Sequence, residues 1–104
     1  EYANMAMIDY QKEADILKAL ANPIRLKIVD TIRKGDICVK SLEEITGASQ
    51  SCVSQHLSVL RNIGMVNSYR DGNLVCYSLN HRLTDKILNC IHEEYDHSTL
   101  KTEE

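Results

Sequence analysis

The first half of the chain places apolar residues three or four positions apart, the spacing of amphipathic helices. A first helix is predicted from Tyr10 to the pair Asn22-Pro23, where the asparagine caps a second helix and the proline occupies its first turn. The second helix is expected to end at Gly35, and a short extended link over residues 36–38 follows it. The pattern therefore predicts two consecutive helices separated by a tight break.

Two further helices are predicted next, over about residues 39–46 and 50–63. Gly47 lies in the turn between them, and Ser49 is placed to cap the start of the second one. Two short helices joined by a tight turn that contains glycine are typical of a helix-turn-helix.

The second half of the chain changes its period from about 3.6 towards 2, which indicates strands. Residues 65–70 and 73–79 predict two strands around Asp71-Gly72, a dipeptide typical of hairpin turns. A last helix is predicted over residues 81–95. The apolar stripe of this helix consists of Leu83, Ile87, Ile91 and Tyr95.

This order of elements predicts a mainly α fold with a small β-hairpin wing, the winged helix-turn-helix plan. One domain is expected over residues 1–104, with frayed ends at residues 1–8 and 98–104. A chain of this length buries a limited share of its surface alone, so a partner subunit is expected, and the stripe on the last helix offers a seam for it.

Charge is unevenly distributed along the chain, although the whole carries only −3. Residues 18–40 hold six Lys/Arg against two Asp, a net +4, and residues 50–82 carry +2, whereas both ends are acidic. A basic centre is suited to meeting phosphate. The sequence shows neither a run of eighteen apolar residues nor a basic-then-apolar start, so we expect a cytoplasmic protein without a membrane partner.

The second helix of the helix-turn-helix has an outward face suited to DNA. If Val53, Leu57 and Leu60 face the core, the opposite side is short, polar and free of carboxylates, so it can enter a major groove without repulsion. Glutamine can pair with adenine edges, and serines near a helix start can bind phosphate. Arg70 flanks the hairpin turn, and His56 is expected to contact phosphate or to pack between helices. The predicted DNA-binding residues are Ser49, Gln50, Ser51, Ser54, Gln55, His56, Ser58, Arg61 and Arg70.

Several segments resemble the ArsR/SmtB family of repressors. Residues 19–28, Ala-Leu-Ala-Asn-Pro-Ile-Arg-Leu-Lys-Ile, resemble the helix junction that opens family members, and residues 49–61 resemble their recognition helix. Residues 63–66 and 70–79 are similar to their strand entry and wing. The resemblance implies a homodimer, built on the first and last helices, that binds an inverted-repeat operator in double-stranded DNA and represses until an inducer releases it.

The resemblance suggests two metal sites, and this sequence departs from both. In the motif on the third helix, Cys38 occupies the first cysteine position, but Lys40 and Ser41 stand at the following ligand positions. In the zinc-type site of the last helix, Leu83 replaces one ligand. The residues that could still bind zinc or another transition metal as an effector, across a two-fold axis, are His81, Glu94 and His97.

Thiol chemistry is the other possible signal. No CxxC pair is present, and without an export signal the four cysteines are expected to be thiols. Cys38 lies just ahead of a helix start, where amides and Lys40 favour the thiolate, so it is the first candidate for sensing reactive sulfur or oxidants. Cys90 and Cys52 are further candidates, whereas Cys76 is expected to pack on its strand.

Other function classes fit the sequence less well. A glycine-rich phosphate loop, paired carboxylates and a nucleophile–base arrangement are all missing, so the sequence predicts no enzyme and no required cofactor. A winged helix that docks another protein without binding DNA is the alternative to the DNA-binding interpretation. Within the DNA-binding interpretation the inducer stays open between a metal ion, a thiol-reactive compound and none.

Overall fold

The computed structural model describes residues 7–94, and within them the chain forms five helices and three strands. The helix-turn-helix consists of α3 and α4, and the wing consists of β2 and β3, so the predicted winged helix-turn-helix is confirmed. None of the described helices is long and apolar enough to cross a membrane. The elements are α1 Tyr10–Leu20, α2 Pro23–Arg33, β1 Ile37–Cys38, α3 Val39–Thr46, α4 Gln50–Asn62, β2 Val66–Asp71, β3 Leu74–Leu79 and α5 Arg82–Glu94.

Residues 1–6 and 95–104 lie outside the part of the chain that the structure describes. The predictions of fraying at residues 1–6 and 98–104 lie there, and so do those made for Tyr95 and His97.

Capping side chains position the helices as the sequence predicts. The Oδ1 of Asn22 accepts hydrogen bonds from the backbone N–H groups of Ile24 and Arg25, at 2.9 and 3.1 Å, and Pro23 occupies the first turn. These bonds satisfy donors that would otherwise lack a partner at the start of α2. At the end of α3, Gly47 adopts a left-handed φ of 72°, and its N–H donates to the carbonyl of Glu43 at 2.9 Å. This left-handed residue ends α3 and lets the chain turn into α4.

The sheet contains a strand that the sequence pattern did not predict. The three strands are ordered β1-β3-β2 with antiparallel pairing, and Ile37 and Cys38 pair with Tyr77 and Cys76 of β3. The segment over residues 36–38 was predicted only as an extended link. A strand of two residues is too short to show a period, so its pairing depends on the tertiary fold.

The hairpin turn lies one residue later than the sequence predicts. Asp71 pairs with Leu74 in the register of the wing, so the loop is Gly72-Asn73 rather than Asp71-Gly72. Gly72 has a φ of 65°, and no described residue other than glycine has a positive φ. A positive φ at the first loop position alone is the pattern of a type II′ turn, which favours glycine there.

The core forms around α2, against which α3, α4, α5 and the sheet all pack. The first and last helices contribute little to it, because only Ala19 and Leu20 of α1 and Thr84 and Leu88 of α5 are buried. The largest fully buried apolar side chains are Ile28, Val29, Ile32, Leu42, Val53, Leu57, Leu60, Met65, Val66 and Leu88.

Large apolar side chains of α1 and α5 remain at the surface. Tyr10 and Leu17 of α1 are 63% and 57% exposed, and Leu83 and Ile91 of α5 are 49% and 42% exposed. These apolar side chains of α1 and α5 therefore do not fill the core of this chain. Exposed apolar faces of this kind are typical of surfaces that meet another molecule.

Candidate nucleic-acid interface

Three buried residues fix the rotation of α4. Val53, Leu57 and Leu60 are fully buried, as predicted, so the opposite side of the helix faces away from the core. The five polar side chains predicted on that side are all exposed, and no residue of α4 is acidic. They are Gln50, Ser51, Ser54, Gln55 and Ser58.

The N-terminal end of α4 adds a partial positive charge to this face. Ser49 is the N-cap residue, and its Oγ accepts a hydrogen bond from the N–H of Cys52 at 3.2 Å. Its hydroxyl proton can still donate to an external acceptor. Because the N-terminal end of a helix carries partial positive charge and unpaired N–H groups, this end of α4 suits a phosphate.

The two predicted arginines lie at the far end of α4 and on the wing. The Nη1 of Arg61, in the last turn of α4, donates to the Oγ of Ser68 on β2 at 3.3 Å, and Arg61 is exposed. Arg70 pairs with Val75 in the wing register, next to the hairpin loop, and it is also exposed. Both guanidinium groups can reach an external anion, one beside α4 and one beside the wing.

The structure places His56 differently from the other predicted DNA-binding residues. It is half-buried, and the Nη1 of Arg25 lies 3.1 Å from its Nδ1. Because arginine can only donate, Nδ1 is the acceptor and the ring proton lies on Nε2. Burial and the charge of Arg25 lower the pKa of His56. His56 is therefore a neutral packing residue, and it could offer DNA only a single N–H group.

Arg25 joins two helices that the sequence did not link. Its Nε donates to the carbonyl of Ala19 at 2.7 Å, and its Nη2 donates to the carbonyl of Lys18 at 3.4 Å. The same guanidinium holds His56, so one side chain joins the C-terminal end of α1 to the middle of α4. Periodicity gave no indication of this contact.

Part of the basic centre is neutralised inside the protein. The Nε of Arg33 donates to Asp30 at 2.7 Å, and its Nη1 lies 3.1 Å from Asp85 and 2.7 Å from Asn89 on α5. The hydrogen bond to Asp30 raises the pKa of Arg33. This arginine holds α5 against α2, so the charge of residues 18–40 overstates what is free to meet phosphate.

Two of the predicted metal ligands, His81 and Glu94, lie far apart within one chain. The Nδ1 of His81 accepts a hydrogen bond from the N–H of Thr84 at 3.2 Å, which caps the start of α5 and leaves only Nε2 for a metal. Glu94 lies at the other end of α5, about 20 Å away at 1.5 Å per residue. Within residues 7–94, no three His, Cys, Asp or Glu side chains are grouped as metal ligands. Within one chain, His81 and Glu94 are therefore too far apart to bind the same metal ion, and His97 lies outside the described residues.

The four cysteines occupy different environments, and all four are free thiols. Cys38 and Cys52 are half-buried, Cys76 is buried and Cys90 is exposed. The Sγ of Cys38 lies 3.3 Å from the Oγ of Ser41, and hydrogen bonds from the hydroxyl and N–H of Ser41 lower the pKa of Cys38. Burial raises the pKa of Cys76. Of these two thiols, Cys38 has the environment that favours the thiolate.

Comparison with known proteins agrees with this geometry. Residues 22–68 match the family model "Bacterial regulatory protein, arsR family". The chain is 38% identical over 96 residues to the nodulation protein NolR of Rhizobium meliloti, a match that covers 92% of this chain and 79% of that protein. It is 35% identical over 80 residues to the arsenical resistance operon repressor of Staphylococcus xylosus, with 77% of each chain covered.

A solved structure shares both the fold and part of the sequence. It is the solution structure of a homodimeric winged helix-turn-helix DNA-binding domain from Mycobacterium bovis, from a possible ArsR-family transcriptional regulator. The TM-score is 0.70 at 29% identity, and 85% of this chain and 87% of that chain are covered. The family consists of regulatory proteins, so the prediction that the chain is no enzyme is confirmed. With a winged helix-turn-helix fold and repressors among its relatives, the chain belongs to the ArsR family of DNA-binding transcriptional regulators.

Proposed function

We propose that this chain is a homodimeric repressor that binds an inverted-repeat operator through α4 and the wing, and that a thiol-reactive inducer releases it. The observation that carries the proposal is the exposed face of α4, which is polar and free of carboxylates and has a helix N-terminus at one end. Gln50 and Gln55 would contact base edges, and Ser49, Ser51, Ser54, Ser58 and Arg61 would contact phosphate or sugar. Arg70 on the wing would contact the adjoining backbone.

The exposed apolar faces of α1 and α5 support the homodimer. They lie side by side, because Leu17 of α1 and Leu83 and Ile87 of α5 line one shallow groove of about 180 Å³. Pairing this surface with its copy would cover the side chains that the core leaves exposed. The related domain from Mycobacterium bovis is a homodimer. In such a dimer the two α4 helices would reach half-sites about 34 Å apart, one turn of DNA.

The thiol-reactive inducer is supported by the position of Cys38. This residue is the N-cap of α3, the first helix of the helix-turn-helix, and it is half-exposed to solvent. A change of its sulfur would act directly on the element that supports α4. The metal alternative requires His81, Glu94 and His97 to meet across the two-fold axis, and it is kept as an outcome of the test below.

Fluorescence anisotropy with labelled DNA from upstream of the protein's own gene tests this function. Gln55→Ala should weaken binding by about 1–3 kcal/mol, the usual value of one bidentate base contact. Gln11→Ala, which removes an exposed glutamine of α1, should leave the affinity unchanged. Equal effects of the two substitutions would show that the face of α4 does not contact DNA.

The inducer is tested on the same complex, prepared in reduced and metal-free form. Addition of a polysulfide or a hydroperoxide should dissociate it, and zinc should not. Release by zinc alone, abolished by His81→Ala, would instead support the metal site. If the protein binds other proteins through the winged helix but shows no salt-dependent affinity for DNA, it is an interaction module. That result would contradict the proposal.

A further inference from the structure

Cys38 and Cys76 face each other across two neighbouring strands. They are directly opposite in the antiparallel register of β1 and β3. Opposite residues of an antiparallel pair point to the same face, with Cβ atoms about 4.5–5.5 Å apart. A disulfide needs Cβ atoms about 3.5–4.5 Å apart. Bridging the two cysteines therefore requires an approach of about 1 Å, and β1 is a two-residue edge strand that pairs with β3 alone.

The cysteine pair lies on the outer face of the sheet. The preceding pair in the register, Ile37 and Tyr77, belongs to the core, so Cys38 and Cys76 point the other way. Tyr69 is opposite Cys76 on its other side, and its hydroxyl donates to the Oδ2 of Asp36 at 2.8 Å. Cys76 lies between Cys38 and Tyr69 in the sheet, and it is only 9% exposed. The remaining cysteines lie on α4 and α5, so the sheet holds this one dithiol within residues 7–94.

Cys38 can be reached from solvent through a groove beside the proposed DNA-binding face. The groove has a volume of about 300 Å³, and it is lined by Cys38 and Lys40, by Gln50 at the start of α4, and by Asn73 and Leu74 at the hairpin loop. A small reagent can therefore meet Cys38 before it meets Cys76. Hydrogen bonds from Ser41 favour the thiolate of Cys38, whereas burial disfavours that of Cys76.

We propose that Cys38 and Cys76 form an oxidation site that takes a hydroperoxide and closes into an intramolecular disulfide. The Cys38 thiolate attacks one peroxide oxygen, so that an S–O bond forms, the O–O bond breaks and Cys38 becomes a sulfenic acid. The other peroxide oxygen leaves as an alkoxide or hydroxide and takes a proton from solvent, which gives an alcohol or water. The sulfur of Cys76 then attacks the sulfur of Cys38, an S–S bond forms, the S–O bond breaks, and the hydroxyl leaves with the Cys76 proton as water. Two thiols lose two electrons in total, and the peroxide is reduced by two.

The disulfide would link the helix-turn-helix to the wing. Cys38 immediately precedes the first residue of α3, and Cys76 lies in the middle of the strand that leads from the hairpin loop. Drawing these two points together changes the position of the wing relative to α4. The regulatory consequence, weaker operator binding in the oxidised state, rests on the proposed function, whereas the disulfide itself does not.

Peptide mapping of the full-length protein tests the chemistry without any variant. The protein is treated with hydrogen peroxide, alkylated, and digested with trypsin without reduction. Trypsin separates the four cysteines, because Cys38 falls on peptide 35–40, Cys76 on 71–82, Cys52 on 41–61 and Cys90 on 87–101. We expect peptides 35–40 and 71–82 to be joined, and dithiothreitol to separate them. Links through Cys52 or Cys90, or oxidation of Cys38 without a link, would overturn the site.

Operator anisotropy then tests the consequence. Peroxide should lower the affinity of the wild type and of the control Cys52→Ser by about 5-fold to 150-fold, the usual range for two coupled sites. Cys38→Ser and Cys76→Ala should keep the reduced affinity, and a circular dichroism spectrum checks that the buried position tolerates alanine. A mapped disulfide with unchanged affinity would overturn the regulatory part. If the reduced wild type does not bind DNA, the proposed function fails, while mapping still decides the site.

Discussion

The contact between Arg25 and His56 gives a quantitative prediction about how α4 is held. The guanidinium makes two short contacts, with the Ala19 carbonyl at 2.7 Å and with the Nδ1 of His56 at 3.1 Å. A hydrogen bond contributes about 0.5–1.5 kcal/mol net, and about 1.5–3 kcal/mol when one partner is charged. Because both side chains are half-buried, we assign the lower part of the charged range to each contact. Arg25→Ala should lower the free energy of unfolding by about 3 kcal/mol.

Urea denaturation followed by circular dichroism measures this loss. Protein concentration must be held constant, because a dimer's stability depends on it. Lys27→Ala is the matched control, since it removes an exposed positive charge from the same helix and should change stability by less than about 0.5 kcal/mol.

A double-mutant cycle with His56→Ala isolates the contact between the two side chains. We expect a coupling of at least about 0.5 kcal/mol between Arg25→Ala and His56→Ala. If the two losses add without coupling, or if Arg25→Ala costs no more than Lys27→Ala, Arg25 does not hold α4 to the end of α1.

Three further outcomes follow from the structure. Leu83→Glu should convert the dimer to a monomer, as measured by sedimentation velocity, because it places a charge in the exposed apolar face of α5. If the variant remains a dimer, this face is not the interface. Gly72→Ala should lower the free energy of unfolding by about 1 kcal/mol, because Gly72 has a φ of 65°. Gly35→Ala is the control and should cause no such loss, because Gly35 lies in open space and has no positive φ of this kind. Equal losses in the two variants would refute the turn assignment. The pKa of His56 is lowered in the folded state, so the unfolded chain binds the proton more readily and stability should fall as the pH drops below about 6.5. His56→Gln should reduce this fall between pH 7 and 5, and an identical pH dependence in both proteins would show that His56 is not responsible.

The helices and the face of α4 could be predicted because their determinants are local. Asn22 and Ser49 are strong cap residues, and the spacing of Val53, Leu57 and Leu60 defines which side of α4 is buried. The local sequence does not distinguish between adjacent dipeptides that can each form a turn. For that reason the sequence predicts the hairpin loop one residue too early.

Contacts between distant segments could not be predicted. The pairing of Cys38 with Cys76 depends on the register of a two-residue strand with a partner 38 positions away. The bond of Arg25 to His56 likewise depends on how α2 crosses α4. A periodic stripe of apolar residues also does not indicate whether it is buried in the chain's own core or against another chain. The apolar side of α1, for example, stays exposed in this chain.

Specific DNA binding by the reduced wild-type protein is the most direct test of its function. In an anisotropy titration, DNA from upstream of its own gene should bind at least about a thousandfold more tightly than an unrelated duplex of the same length. The affinity should also fall steeply as salt is raised, because phosphate contacts release counterions. Equal affinity for both duplexes, or no binding to either, would contradict the assignment of α4 and the wing as an operator-binding surface.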